Sequence, residues 1–283
     1  MSNAEANGRR PRRIVVLLDA SHASMAALEA AVELAAHRNT ELLAVFVEEE
    51  ELLRCAGYPW TREVGLSGAV RPIETTTVEE RMRDRAEEVR SALQRSSQRR
   101  GVAARLQVCR GRVVHEALAL VGSGDFLVLG KVGYARCRGL RLGSTARAIV
   151  HGAPGPVMVF EESARRERAR NVAVVVAPGE AGLTTLRYAQ ALLGDRETLS
   201  LAIPDAPEDG HALRQSEAAQ WLRTHYPQAR WLDEAATDAE HLAAALMDGG
   251  VEKVIVSRRS TLLAHHGPRS LIESIRIPVI VTP

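Results

Sequence analysis

Residues 126–145 read Phe-Leu-Val-Leu-Gly-Lys-Val-Gly-Tyr-Ala-Arg-Cys-Arg-Gly-Leu-Arg-Leu-Gly-Ser-Thr, and the helical pattern Ala146 to Val150 follows directly. The order is strand, glycine-rich loop, helix. Glycines at 130, 133 and 143 let the backbone turn sharply and come close to a ligand, and Ser144 and Thr145 place hydroxyls and free N–H groups at a helix start, which suits phosphate. Lys131 is followed by Val132 rather than Ser or Thr, so this is not the commoner phosphate loop; it is not a GxGxxG fingerprint either.

Outward from that stretch the same alternation repeats. Toward the amino terminus, Ile14 to Leu18 is a continuous apolar run ending at Asp19, with an amphipathic helix after it (Met25, Leu28, Val32, Leu34). Glu41 to Val47 is predicted as a second strand, Val78 to Leu93 as a helix, Ala104 to Cys109 as a third strand and Val113 to Val121 as a helix. Phe126 to Gly130 and Pro156 to Phe160 supply strands four and five. Continuous apolar runs separated by helices predict an α/β fold with a parallel sheet buried on both faces.

After the charged stretch Glu161 to Arg170 the pattern begins again. Val172 to Val176, Thr198 to Ile203, the residues around Trp231, Val254 to Val256 and Pro278 to Val281 read as strands. Gly182 to Leu193, His211 to Leu222 and Ala239 to Leu246 read as helices between them. The endings Gly-Pro-Val-Met-Val at 155–159 and Ile-Pro-Val-Ile-Val at 277–281 mark a tandem duplication. The expected organisation is a disordered tail over 1–12, of which Met1 to Ala4 reads as a tag remnant, a first domain over 13–161 that carries the glycine-rich loop, a charged linker over 162–170 and a degenerate second domain over 171–283. In the second copy Ala177 stands for Asp19 and Ser257 for Gly130, and the loop from Ser257 to Pro278 is shorter with Gly267 as its one glycine, so it should cradle a phosphate ligand poorly or not at all.

The spacing G-x2-G-x9-G-[ST], carried by Gly130, Gly133, Gly143 and Ser144, resembles the ATP-binding signature of the universal stress protein family. That resemblance covers nearly the whole chain, with the full signature present once. It implies two Rossmann-like, doubly wound five-stranded domains with strand order 3-2-1-4-5, packed as a pseudo-dimer through their last strands. It also implies that Asp19 and the backbone at Val47 hold the adenosine part, with Gly130, Gly133, Gly143, Ser144 and Thr145 around the phosphates; Leu129 and Lys131, on either side of Gly130, are further candidate site residues. On residue chemistry alone Asp19 reads equally well as a carboxylate capping the helix that begins near Ser21. Lys131 and Val132 depart from the serine and histidine frequent in the family, and Lys131 reads as a flexible, partly solvated cation able to neutralise phosphate, with Arg136, Arg138 or Arg141 as further candidates. The ligand implied is ATP, with ADP, AMP or a cyclic nucleotide fitting the same cradle, with or without magnesium.

Composition narrows the remaining classes. The 283 residues are 46% apolar, enough for two cores, and the net charge is only +2. No apolar run reaches membrane-spanning length and Met1 to Arg13 lacks an apolar centre, so the expected location is cytoplasmic. Cys55, Cys109 and Cys137 have no CxxC spacing and read as free thiols. Arginine clusters at Arg95 to Arg100 and Arg165 to Arg170 read as a solvated helix end and a linker rather than a nucleic-acid surface. The acidic run Glu48 to Glu51 reads as a solvated turn, and His265 and His266, being adjacent, cannot share a helical face as ligands. A stress-response binding protein that signals by conformation or association, as a homodimer or with a protein partner, is therefore the leading expectation. A slow ATP hydrolase using the same site, or a nucleotide-free scaffold for a transporter or kinase, are the alternatives.

Overall fold

The computed structural model describes residues 11–65, 67–131, 142–161, 171–177, 179–193, 197–204, 216–231, 239–263 and 271–283. The tail over 1–10, Gly133, Arg136, Arg138, Arg141, the 162–170 linker, residues 211–215 and the His265, His266 and Gly267 segment lie outside them.

The first half comprises β1 (Arg13–Leu18), α1 (His22–Arg38), β2 (Glu41–Glu49), α2 (Glu50–Ala56), a small hairpin of β3 (Arg62–Val64) and β4 (Val70–Pro72), α3 (Thr75–Arg100), β5 (Ala104–Gly111), α4 (Val113–Ala119), β6 (Phe126–Gly130), α5 (Ser144–Gly152) and β7 (Val157–Phe160). The second half comprises β8 (Asn171–Val176), α6 (Glu180–Leu192), β9 (Thr198–Pro204), α7 (Glu217–His225), β10 (Arg230–Trp231), α8 (Ala239–Asp248), β11 (Val251–Ser257), α9 (Leu271–Ser274) and β12 (Val279–Thr282). The main sheet runs β10-β9-β8-β11-β12-β7-β6-β1-β2-β5. Within this main sheet pairing is parallel in each half and antiparallel where the halves meet, β7 against β12, with Val157, Met158 and Val159 facing Val281, Ile280 and Val279.

The buried strands explain the two-sided core. In β1, Val15 and Leu17 enter one cluster with α4, α5, α8 and α9, whereas Ile14, Val16 and Leu18 enter the other with α1, α3, α6 and α7. Alternate residues of β6, β7, β8, β11 and β12 do the same, so each cluster runs without a break from one half into the other. Side chains of the last strands therefore pack as interior rather than as surface.

Three stretches depart from the sequence expectation. α3 runs from Thr75 to Arg100, not 78–93, because its last turns use polar rather than apolar contacts: the Ser96 hydroxyl and Arg99 Nη2 both reach Glu29 on α1. It stops where Gly101 takes φ +64. Val47 does not end β2; the strand continues to Glu49 because β5 keeps pairing as far as Glu49 with Gly111. The acidic run is thus no solvated turn: Glu48 holds Arg110 at 2.9 Å, and Glu50 and Glu51 sit in the first turn of α2, where carboxylates favour the helix dipole.

Candidate functional site

Strand register brings the predicted residues of the first half to one rim. Leu17 lies level with Val45 on one side and Leu129 on the other, and Leu18 with Phe46. One step beyond Leu18 and Phe46 stand Asp19 and Val47, and one step beyond Leu129 stands Gly130; Asp19 and Gly130 lie at the carboxyl ends of β1 and β6, while β2 runs two residues past Val47. Between β1 and β6 the strand order reverses, which is where open α/β sheets bind ligands.

Asp19 opens α1. Its Oδ1 accepts from the Ser21 amide at 2.9 Å, its own amide donates to the Ser24 hydroxyl at 3.3 Å, and the Ser21 hydroxyl accepts from the Ser24 amide as the helix cap. The capping role open to Asp19 is thus taken by Ser21, and Asp19 braces the turn before it. Between them Ala20 is held at φ +62, a left-handed conformation that costs an alanine about 1 kcal/mol. Ala20→Gly should therefore raise the unfolding midpoint by about 1–3 °C, the relief of φ slightly exceeding the added chain entropy. A lower midpoint in thermal melts would contradict that strain.

Neither of the two described signature glycines, Gly130 and Gly143, takes a left-handed φ. A Cβ on Gly130 would stand 3.0 Å from the backbone carbon of Ala23, so glycine here lets the first turn of α1 pack on the end of β6. Gly143 is the cap residue of α5 with φ −59 and ψ 151, an extended conformation open to any residue. Its amide donates to the Lys131 carbonyl at 3.2 Å, which ties the start of α5 to the end of β6. Among the described residues no side chain caps α5, and the amides of its first turn, at Ser144 and Thr145, are of the kind a helix leaves without an intrahelical acceptor.

Lys131 is the principal correction. It is 4% exposed, not a solvated cation. Its Nζ donates to Glu161 Oε2 at 2.5 Å and, across the junction of the halves, to the carbonyl of Ile275 at 2.7 Å. The sequence offered no signal for this, because neither partner is near Lys131 in the chain. Leu129 is buried with its side chain in the core, so it can offer a ligand backbone alone. Gly133 lies outside the described residues.

The second half lacks these devices at corresponding positions. Counting from the ends of β1 and β8, Asp19, Ser21 and Ser24 are matched by Ala177, Gly179 and Gly182. A Cβ at Gly182 would lie 2.1 Å from the Ala177 carbonyl oxygen, so α6 fills the ground over that strand end. Ser257 is buried, with its hydroxyl taken by the Arg259 amide and its carbonyl by the Ser260 amide. The turn that follows drives Leu263 into the core beside Leu271 and Ile272. At the position of Lys131 stands Arg258, whose amide donates to Thr282 as the Lys131 amide does to Phe160. Burial holds its guanidinium below the ordinary arginine range, opposed by the Tyr188 phenol.

Two open depressions flank this arrangement. A groove of about 530 Å³ runs along α5 past Leu142, Ser144, Arg147, Ala148 and His151. A larger cleft of about 1160 Å³, with Arg12, Arg13, Arg100 and Arg105 in its wall, lies at the amino ends of the strands, opposite the rim. There Arg13 is engaged by Asp125 at 2.8 Å. Among the described residues no group of three or more His, Cys, Asp or Glu side chains could hold a metal ion, and no helix is long and apolar enough to cross a membrane.

The fold is shared with solved structures at low sequence identity. A universal stress protein from Archaeoglobus fulgidus DSM 4304 superposes over 98% of this chain and 97% of its own, with a TM-score of 0.72 at 17% identity. A functionally unknown protein from Pseudomonas aeruginosa PAO1 covers 99% of this chain and 94% of its own, with a TM-score of 0.57 at 15% identity. No curated protein matches. The model of the Universal stress protein family matches residues 11–161, which carry the whole rim from Asp19 to Thr145 and more than half of the chain. With that match and a fold laid out in the same way, the chain belongs to the universal stress protein family.

Proposed function

We propose that this chain is an adenine-nucleotide-binding member of the family, acting in stress response or regulation, with its site in the first half and signalling by conformation or association rather than by turnover. The observation that carries the reading is the first turn of α5, at Ser144 and Thr145, which no side chain caps among the described residues, set on the same rim as Asp19 and Val47 at the β1/β6 switch point. Asp19 and the Val47 backbone would take the adenosine end and the α5 amides the phosphates. ATP is the first ligand to test, with ADP, AMP and cyclic nucleotides beside it.

The division of labour between residues 13–161 and 171–283 follows from the same comparison. Ala177, Gly179 and Gly182 offer no carboxylate or hydroxyl where Asp19, Ser21 and Ser24 stand, and Ser257 and Leu263 face inward. Calorimetric titration of the full chain with ATP should accordingly give a stoichiometry of one per chain. Two equivalent sites would overturn the assignment to the first half, and nucleotide released on denaturing the purified protein would identify the resident species.

A further inference from the structure

The rim of the first half is braced from the second. On α5, Arg147 Nη2 meets Glu273 Oε1 at 2.8 Å, and the Val150 carbonyl accepts from Arg258 Nε at 2.6 Å. Just beyond that helix, the Gly155 carbonyl accepts from Arg258 Nη2 at 3.3 Å. At the root of the loop, Lys131 donates to the Ile275 carbonyl. All the second-half partners, Arg258 and residues 273–275, lie between β11 and β12. Glu273 is itself 4% exposed, and the apolar face of α5, Ala146, Ile149 and Val150, packs in one cluster with Leu271, Ile272 and Ile275.

We propose that the second half is a positioning half: Glu273, Arg258 and the Ile275 carbonyl hold α5 and Lys131 where the first-half site needs them. This rests on the nucleotide reading given above. A helix of nine residues has little stability of its own, so its placement is set by what it packs on and bonds to. Amides that receive a phosphate must be held to within a fraction of an ångström, and here both the first turn and the last turn are anchored on the other half. Coupling of this kind is reciprocal: if residues 271–275 fix the site, ligand in the site must stabilise residues 271–275.

The experiment uses the full chain, ATP as probe, and amide hydrogen exchange beside equilibrium binding. In the unaltered protein ATP should slow exchange at 271–277, a segment on the far side of the junction. Glu273→Gln should lose most of that transmitted protection and bind ATP five- to twentyfold more weakly, while exchange in β8 and β11 stays unchanged and certifies the fold. Arg147→Met removes the same ion pair from the more exposed side and should give the same loss. The double variant should lose less than the sum of the two single losses, because the ion pair that Arg147 and Glu273 share is removed in each case.

Several outcomes overturn the proposal. They are a folded Glu273→Gln that binds ATP like the parent, ATP protection that stops at residue 161, or additive losses in the double variant, which would place Arg147 on the nucleotide itself. Should Glu273→Gln disturb β8 and β11, Arg147→Met decides by the same criteria. If the parent protein bound no adenine nucleotide, the functional reading would fall on its own. Ligand-free exchange at 144–148 would then decide the brace, faster exchange in Glu273→Gln upholding it and unchanged exchange removing it.

Discussion

Residues 1–164 produced without the second half are expected to self-associate into dimers. β7 is an interior strand of the whole sheet, bonded to β6 on one side and to β12 on the other; removing β12 leaves its backbone groups and apolar side chains open. Ala146, Ile149 and Val150 of α5 lose the cover of Leu271, Ile272 and Ile275 at the same time. Each large aliphatic side chain so exposed forfeits about 1.5–3 kcal/mol, and a second copy of the fragment presents the same surface. The β7/β12 pairing is centred on Met158 opposite Ile280, so an antiparallel β7 pair between two fragments would place Met158 opposite its own copy and keep the register. Sedimentation or light scattering should report twice the fragment mass at micromolar concentration. A soluble, strictly monomeric fragment would show that the junction is not what stabilises the last strand of the first half.

The junction was legible in sequence because it is written in apolar runs. Val157 to Phe160 and Val279 to Val281 are too hydrophobic to end a sheet at solvent, and the strand and helix order followed from similar runs. Polar structure was less legible. The last turns of α3 carry no apolar period, since Ser96 and Arg99 hold α1 through Glu29, and the hairpin at 62–72 rests on the Glu63 carboxylate between Arg71 and Arg81. Those two guanidiniums, Arg81 first, hold the Glu63 carboxyl below the ordinary range, an arrangement that spacing along the chain does not reveal.

At the site, residue identity and residue role separated. Asp19, Val47, Gly130 and Gly143 stand together as the repeat and the resemblance implied, yet two of the glycines are explained otherwise than by positive φ. Gly130 makes room for Ala23, and Gly143 ties the start of α5 to the end of β6 through its amide. Lys131 departs furthest, because burial is a property of the fold and its partners lie 30 and 144 residues away.

Replacing Gly143 by a bulky residue is expected to abolish nucleotide binding, with a loss of at least a hundredfold, about 2.7 kcal/mol. Backbone strain is not the reason, since φ −59 and ψ 151 suit any residue and the amide bond to Lys131 can persist. The effect is one of volume: a side chain at the cap position of α5 stands beside the first-turn amides, in the space a phosphate would take. Gly143→Leu and Gly143→Arg should therefore both eliminate binding while leaving the unfolding midpoint nearly unchanged, and the pair separates bulk from added charge. Lys131→Ala should behave in the opposite way. Removing the ammonium leaves Glu161 and a buried Ile275 carbonyl without it, so unfolding stability should fall by roughly 2–3 kcal/mol while nucleotide affinity declines far less than with Gly143→Leu. If Gly143→Leu bound ATP like the parent while Lys131→Ala lost it with its stability intact, the phosphates would have to lie on the Lys131 ammonium rather than on the first turn of α5.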